Sequence, residues 1–228
     1  MPCLEPLTHA WIVRAPLFLR TSAETQRAID AAVHVRTYAN KQAIFLEGHR
    51  PSGLGILISG LVRLYHILRD GRLHVHHYAR PYAALNLIPA LDGRPNPVSA
   101  EAVGEAHVAW LAREQLLALM AADPELMLSC IRLLTLQNRE LIARLDDIGF
   151  RTVPSRLARL LLRRGGFERE AHLPLDTLSQ DEIAAVLGTS REVLGRALRQ
   201  LYDLGLVRRE GRHYVIVDRE GLEKLAEE

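Results

Sequence analysis

The stretch that most constrains this chain is residues 178–209, L-S-Q-D-E-I-A-A-V-L-G-T-S-R-E-V-L-G-R-A-L-R-Q-L-Y-D-L-G-L-V-R-R. Ser179 caps a helix, and Glu182 stands three residues on, the capping-box spacing. Ile183, Ala184, Val186 and Leu187 follow as an apolar stripe at helical period. Gly188 sits where a left-handed residue ends a helix. Ser190 caps a second helix. In that helix Val193, Leu194, Ala197, Leu198 and Leu201 form the buried face, leaving Arg191, Glu192, Arg196 and Arg199 outside. Two helices joined by a short Gly-containing turn make a helix-turn-helix, whose second helix enters the major groove of duplex DNA. Arg can bond guanine O6 and N7 together, and Glu can accept from cytosine N4. The plain alternative is a helical hairpin with a solvated charged face, so the flanking sequence has to decide.

That context is a chain of 228 residues, 48% hydrophobic and 25% charged, the balance of a water-soluble globular protein. No apolar run approaches the ~18 residues that cross a bilayer. The N-terminus lacks a basic segment before its apolar piece, and Arg14 and Pro16 interrupt that piece, so no signal peptide is indicated. With only Cys3 and Cys130, the expectation is a reducing cytoplasm and no membrane partner. The net charge is +2, but residues 151–217 hold 12 arginines against 8 acidic residues. The positive excess lies where a nucleic acid would need it.

Taken in order, Thr21 or Ser22 with Glu24 predicts a helix running to about Val33. Short strands follow. Residues 43–46 end at Glu47-Gly48. Residues 54–58 and 61–67 flank Ser59-Gly60. Residues 64–78 fold as a hairpin at Asp70-Gly71. A Pro- and Gly-rich piece with a short apolar run at 85–91 precedes two further strands within 98–111. Such spacing predicts a small β-barrel or roll. Asp123-Pro124 starts a long helix to about Ile148. Met127, Leu134, Leu141 and Ile148 recur every seven residues, with Cys130 or Ile131, Asn138 and Leu145 between them. This is the pattern of a dimer seam, or else of a helix packed on its own domain. Gly149-Phe150 is expected to break the helix and act as a hinge. Val153-Pro154-Ser155 starts another helix, with Leu157, Leu160 and Leu161 inward and Arg156, Arg159, Arg163 and Arg164 outward. Gly165-Gly166 ends it, and 167–177 form a loop or small strands. Residues 206–209 and 213–217 flank Glu210-Gly211-Arg212 as a two-stranded wing, and Asp218 caps a last helix.

The order roll, long helix, hinge, winged helix-turn-helix resembles the Crp/Fnr family of regulators. The motifs that carry it are L-S-Q-D-E-I-A…G-T-S-R-E-V-L-G-R-A-L at 178–198 and I-F-L-E-G-H-R-P-S-G-L-G-I-L-I-S-G-L-V-R-L-Y at 44–65. The resemblance implies an α+β fold: a cyclic-nucleotide-binding-type β-roll (1–122), a dimerisation helix (123–148) and a winged helix-turn-helix (149–228). It implies base reading by Arg191, Glu192 and Arg196, and phosphate or wing contacts by Ser179, Thr189, Ser190, Arg199 and Arg212. The partners it implies are double-stranded DNA, a second copy of the chain joined through Met127, Leu134, Leu141, Leu145 and Ile148, and RNA polymerase.

The departures matter as much. Nucleotide binders of this family carry a Gly-Glu pair for the ribose and an Arg-Ser about ten residues on for the cyclic phosphate. Here the region reads A-L-N-L-I-P-A-L-D-G-R-P-N-P-V-S-A-E-A. Gly-Glu is absent, Val98 precedes Ser99, and Arg94 lies on a Pro-Gly-rich loop. Leu141 and Ile142 stand where nucleotide binders place hydroxyls. An unpaired phosphate in an apolar pocket is costly, so cyclic AMP is not expected and the effector is unknown. Two cysteines cannot supply the four thiolates of an iron–sulfur cluster, and Cys130 reads as a small apolar residue. His74, His76 and His77 lie on one strand, and His74 and His76 share a face. Two ligands fall short of a structural zinc site, so no metal is expected and half-exposed strand histidines are the simpler reading. Haem ligation by His34, His66, His74, His76 or His77, for sensing nitric oxide or carbon monoxide, is the alternative. No nucleophile–base set, P-loop or paired-carboxylate motif suggests an enzyme.

Overall fold

The computed structural model describes residues 9–68, 71, 73–162, 179–211 and 213–227, and the side chains among them other than those of His9, Ala10, Arg144, Asp147 and Ile148. The chain divides into two compact units, residues 1–66 with 78–138 and residues 67–77 with 139–228.

A 3-10 turn, His9–Arg14, leads into α1 (Ala23–Ala32). Ser22 caps α1, its hydroxyl accepting from the Thr25 amide at 3.1 Å. The strands are β1 (His34–Tyr38), β2 (Ala43–Phe45), β3 (Leu54–Ile67), β4 (Leu73–Ala79), β5 (Ala84–Leu85) and β6 (Ser99–Leu111). They form one sheet in the order β1-β6-β3-β4, with β2 also on β6 and β5 on β3. Where the sequence predicts strand pairs at 54–67 and 98–111, each pair is one long strand. Left-handed glycines inside the strands absorb the bends that read as turns. Gly60 has φ +91°, and a Cβ there would collide with the Glu105 carbonyl. The β3–β6 ladder shifts register at this point, between Leu57 and Ser59 and again between Ser59 and Leu61, so the strand bends without ending. Of the Asp70-Gly71 hairpin turn, Asp70 lies outside the described residues.

One face of the sheet is packed with Tyr38, Phe45, Leu57, Val62, Leu64, Val108 and Trp110. The buried Trp110 indole N–H donates to the Tyr38 hydroxyl at 3.0 Å, giving the polar edges of both rings a partner. A second core joins Ile56 and Leu111 to Phe18, Ile29, Leu116, Leu126 and Cys130. Cys130 is 1% exposed, and burial pushes its thiol up to about 11, so it packs as a protonated, unreactive group. The apolar run at 85–91 includes a helix, α2 (Leu87–Asp92), entered from a left-handed Asn86 and closed by a left-handed Gly93.

Two helices follow, α3 (Arg113–Ala122) and α4 (Pro124–Phe150). Asp123 joins them to α1. Its carboxylate accepts from the Glu125 amide at 3.0 Å, capping α4, and from the Ser22 amide at 3.0 Å. The heptad reading of α4 needs two corrections. Cys130 and Leu134 belong to the second core, Leu134 at its edge, because the first turns of α4 must cover the roll. The exposed apolar stripe instead runs through Leu128, Ile131, Ile142 and Leu145, with Met127 and Leu141 beside it. The side chain of Ile148 is outside the described set. The break expected at Gly149-Phe150 falls later: both residues are helical, and Arg151 and Thr152 are not. Gly149 has open space around it, so nothing forces the helix to end there. The next helix, α5, spans Val153–Leu162. Pro154 has no N–H to offer the Phe150 carbonyl, while the Thr152 hydroxyl accepts from the Ser155 amide at 3.3 Å and starts α5.

Backbone hydrogen bonds from Ser22, joined by Thr25 and Glu125, hold the Asp123 carboxyl below its ordinary 3.8. Its stabilising contribution is therefore complete above that value and is lost as pH falls through the depressed pKa. Asp123→Ala is expected to lower stability by about 1–2 kcal/mol at neutral pH. The gap to the parent chain in thermal melts should narrow in acid below pH 3.8.

Candidate nucleic-acid interface

The C-terminal unit is built on α5, α6 (Gln180–Val186), α7 (Arg191–Asp203), the hairpin β7 (Val207–Glu210) and β8 (His213–Ile216), and α8 (Arg219–Glu227). Its core packs Leu157 and Leu161 of α5 with Ile183 and Leu187, with Leu194, Ala197, Leu198 and Leu201 of α7, and with Tyr214, Leu222 and Leu225. Both caps read from the sequence are present. The Ser179 hydroxyl accepts from the Glu182 amide at 3.2 Å, and Glu182 accepts in return from the Ser179 amide at 2.8 Å. Ser190 accepts from the Val193 amide at 3.3 Å. The turn between the helices closes through the Gly188 amide to Ala185 at 3.2 Å and the Thr189 amide to Ala184 at 2.9 Å. Gly188 takes φ +63°, where a side chain would be strained.

With its apolar stripe buried, α7 has no rotational freedom, and Arg191, Glu192, Arg196 and Arg199 are all exposed. The helix is about 20 Å long, and its charged face starts at its first residue. Arg196 lies 3.4 Å from Glu192, and Arg191 lies 3.5 Å from Asp181 of α6. All four side chains are well exposed, so these pairs contribute little, well under about 1 kcal/mol each. Either guanidinium can exchange its partner for a base edge at small cost. Thr189 and Ser190 are half-buried at the N-terminus of α7, and Ser179 is exposed at that of α6. On the wing, Arg208 pairs with Glu210 at 2.6 Å, and Arg209 Nε donates to the Gly211 carbonyl at 2.9 Å. Arg212, Arg163, Arg164, Gly165-Gly166 and residues 167–177 lie outside the described residues. Asp218 caps α8 by accepting from the Gly221 amide at 3.0 Å.

One arginine is not where the sequence puts it. Arg156 is only partly exposed, and its Nε and Nη1 are buried without a hydrogen-bond partner. Its neighbours Ser155 and Leu157 are both fully buried, and this holds the first turn of α5 against the core.

In the roll, two polar side chains of the region that the resemblance tied to an effector bond to the backbone. Asn86 Nδ2 donates to the Gly53 carbonyl at 3.2 Å, and Ser99 Oγ accepts from the Glu47 amide at 3.1 Å. Val98 is half-buried, and Arg94, Leu141 and Ile142 are exposed. His34 and His77 are exposed, and His66 Nδ1 lies 2.7 Å from Glu47 Oε2. His74 and His76 meet edge to face at 5.1 Å. Among the described residues no three His, Cys, Asp or Glu side chains converge on a metal position. No helix among the described residues is long and apolar enough to cross a membrane.

A capped, buttressed helix-turn-helix with a wing, preceded by a β-roll, defines a transcription regulator of the winged helix-turn-helix class. Family models agree: residues 155–225 match the Crp-like helix-turn-helix domain, and residues 35–123 match the cyclic nucleotide-binding domain. The cyclic AMP receptor protein of Thermus thermophilus is 30% identical over 194 residues, covering 85% of this chain and 88% of that one. The CRP-like cAMP-activated global transcriptional regulator of Mycobacterium tuberculosis is 28% identical over 223 residues, covering 94% and 98%. The solved structure of FixK2 from Bradyrhizobium japonicum superposes with a TM-score of 0.69 at 25% identity, covering 85% of this chain and 96% of that one. The chain belongs to the Crp/Fnr family of transcription regulators.

Removing one cap tests how far this unit depends on its helix starts. Ser179→Ala leaves the Glu182 amide without its acceptor and is expected to cost about 1 kcal/mol, read as a lower melting temperature of the C-terminal unit.

Proposed function

We propose that this regulator is a homodimer that binds duplex DNA sequence-specifically, with α7 of each protomer in the major groove. The observation that carries this is the exposed row Arg191, Glu192 and Arg196 on a helix whose opposite face is locked into the core. In this reading those three side chains read bases. Ser179, Thr189, Ser190, Arg199 and Arg212 contact the backbone, beside the groove edge and along the wing. The apolar stripe of α4 supports a helix-to-helix dimer: Leu128, Ile131, Leu141, Ile142 and Leu145 are 42–59% exposed, more apolar surface than a helix leaves in water without a partner. Leu134 and Met127 flank that seam, and Ile148 continues its heptad. Two protomers then read half-sites one helical turn apart. Residues 1–122 serve as sensor, 123–148 as dimer helix and 149–228 as reader. The junction from Gly149-Phe150 to Thr152 is the hinge whose arrangement a signal biases. Such a protein works in the cytoplasm, and RNA polymerase is the partner through which DNA binding becomes transcription.

Cyclic AMP is not the signal in this reading, although relatives carry that nucleotide in their names. The Asn86 amide and the Ser99 hydroxyl already serve the fold, and Val98 stands where the family's phosphate-holding Arg would be.

Arg191→Ala and Arg196→Ala are each expected to weaken specific binding by about 1–3 kcal/mol and to relax preference at one base position, measured by gel shift over a range of salt. Survival of full specificity in both variants would remove them as base readers. Calorimetry with cyclic AMP is expected to give no binding at micromolar concentration, and a micromolar dissociation constant would overturn that exclusion. Sedimentation should show a dimer that Ile142→Asp or Leu145→Asp turns into monomer.

A further inference from the structure

Asp181 sets a negative charge beside the arginines of the reader unit. It is the second residue of α6 and is exposed. The fold does not call for its carboxylate. Ser179 caps α6, and the neighbouring Glu182 completes the capping box by accepting from the Ser179 amide at 2.8 Å. Asp181 instead reaches across the turn to the other helix of the motif. Its Oδ2 lies 3.5 Å from Nη1 of Arg191, the first residue of α7. The Glu192–Arg196 pair differs in kind: it lies within α7, and both of its members belong to the exposed reading row. Asp181 is not in that row, yet its one contact here is with the row's first member. An anion at a surface that meets a polyanion opposes binding, so affinity for DNA alone gives no reason for an acid at this place.

From this geometry we infer that Asp181 is a specificity-determining residue that acts through Arg191: it aims the guanidinium at a guanine and withholds it from phosphates. The inference rests on the DNA-reading proposal above. A guanidinium carries five N–H donors in one plane, and the Asp181 contact engages Nη1 alone. A two-donor fork therefore remains for guanine O6 and N7, and Arg191 need not give up Asp181 to read that base. A phosphate at the groove wall is a different target. It attracts the same donors, but turning the side chain toward it breaks the pair. The complex on a correct site keeps the contact, and the complex on random sequence loses it. Discrimination is this difference between the two complexes, not the strength of either. The two side chains are 65% and 67% exposed in the free protein, so the effect is a matter of a few-fold and not of orders of magnitude.

The test is a double-mutant cycle on the full-length protein, with Asp181→Ala, Arg191→Ala and the two together. Each is titrated with a duplex that the parent protein selects from a random pool and with an unselected random duplex, over a range of salt. Asp181→Ala is expected to lower the ratio of selected to random affinity by about two- to fivefold. The lost preference should fall at the one base position that Arg191→Ala also relaxes. On the random duplex the slope of log affinity against log salt should steepen by up to about 0.9 for each protomer bound, because Arg191 is then free to take a phosphate. In the Arg191→Ala background, Asp181→Ala should leave the ratio unchanged. A merely structural role would weaken both duplexes alike and keep the ratio, and that result overturns the inference. So does a change of ratio that persists at full size without Arg191, since the carboxylate would then act on DNA by itself. A parent protein that shows no salt-dependent duplex binding, or whose specificity survives Arg191→Ala, would overturn the DNA-reading assignment of Arg191 and this inference with it.

Discussion

The reader unit depends on one packing contact, the burial of Leu194, Leu198 and Leu201 of α7 against Leu157 and Leu161 of α5 and Ile183 and Leu187 of the α6 end. A helix with a single apolar stripe can present only one face, so this contact decides which side chains meet solvent. Arg191, Glu192 and Arg196 are outward as a consequence. The turn is tight enough for that packing because Gly188 accepts a left-handed backbone and the caps at Ser179 and Ser190 satisfy the amides at both helix starts.

The same logic organises the roll. Its two long strands bend where glycine permits, and alternate residues along them enter separate cores. The roll shares its frame with the cyclic nucleotide-binding domain whose family model it matches. The matched domain model spans residues 35–123, yet Asn86 and Ser99 give their polar atoms to the backbone of Gly53 and Glu47. A frame is conserved by burial and register, and a ligand by a few polar atoms, so the second can change while the first remains.

Most of the fold was legible along the chain because it rests on short-range signals. Caps at Ser22, Asp123, Ser179 and Ser190, proline at the first position of α4, and the 3.6-residue stripe of α7 all act within a few residues. What was not legible depends on distant partners. Gly60 reads as a turn until Glu105 lies beside it. Nothing along the chain tells that Leu134 packs at the edge of the second core, and Gly149 reads as a break until Pro154 supplies one. Arg156 reads as one more solvated arginine on an amphipathic helix. Nothing within its own helix tells that its guanidinium lies under Gly188, a position far along the chain.

The sequence by itself determined the class of this protein, a roll followed by a long helix and a winged helix-turn-helix, and the identity of the charged residues on the outer face of α7. Local hydrogen bonding and hydrophobic period are sufficient for that. Only the tertiary structure decided which stripe of α4 stays exposed, which roll side chains are already committed to the backbone, and which arginine is held beneath the turn. Those outcomes depend on which surfaces compete to be buried, and that competition exists only once the elements are packed together.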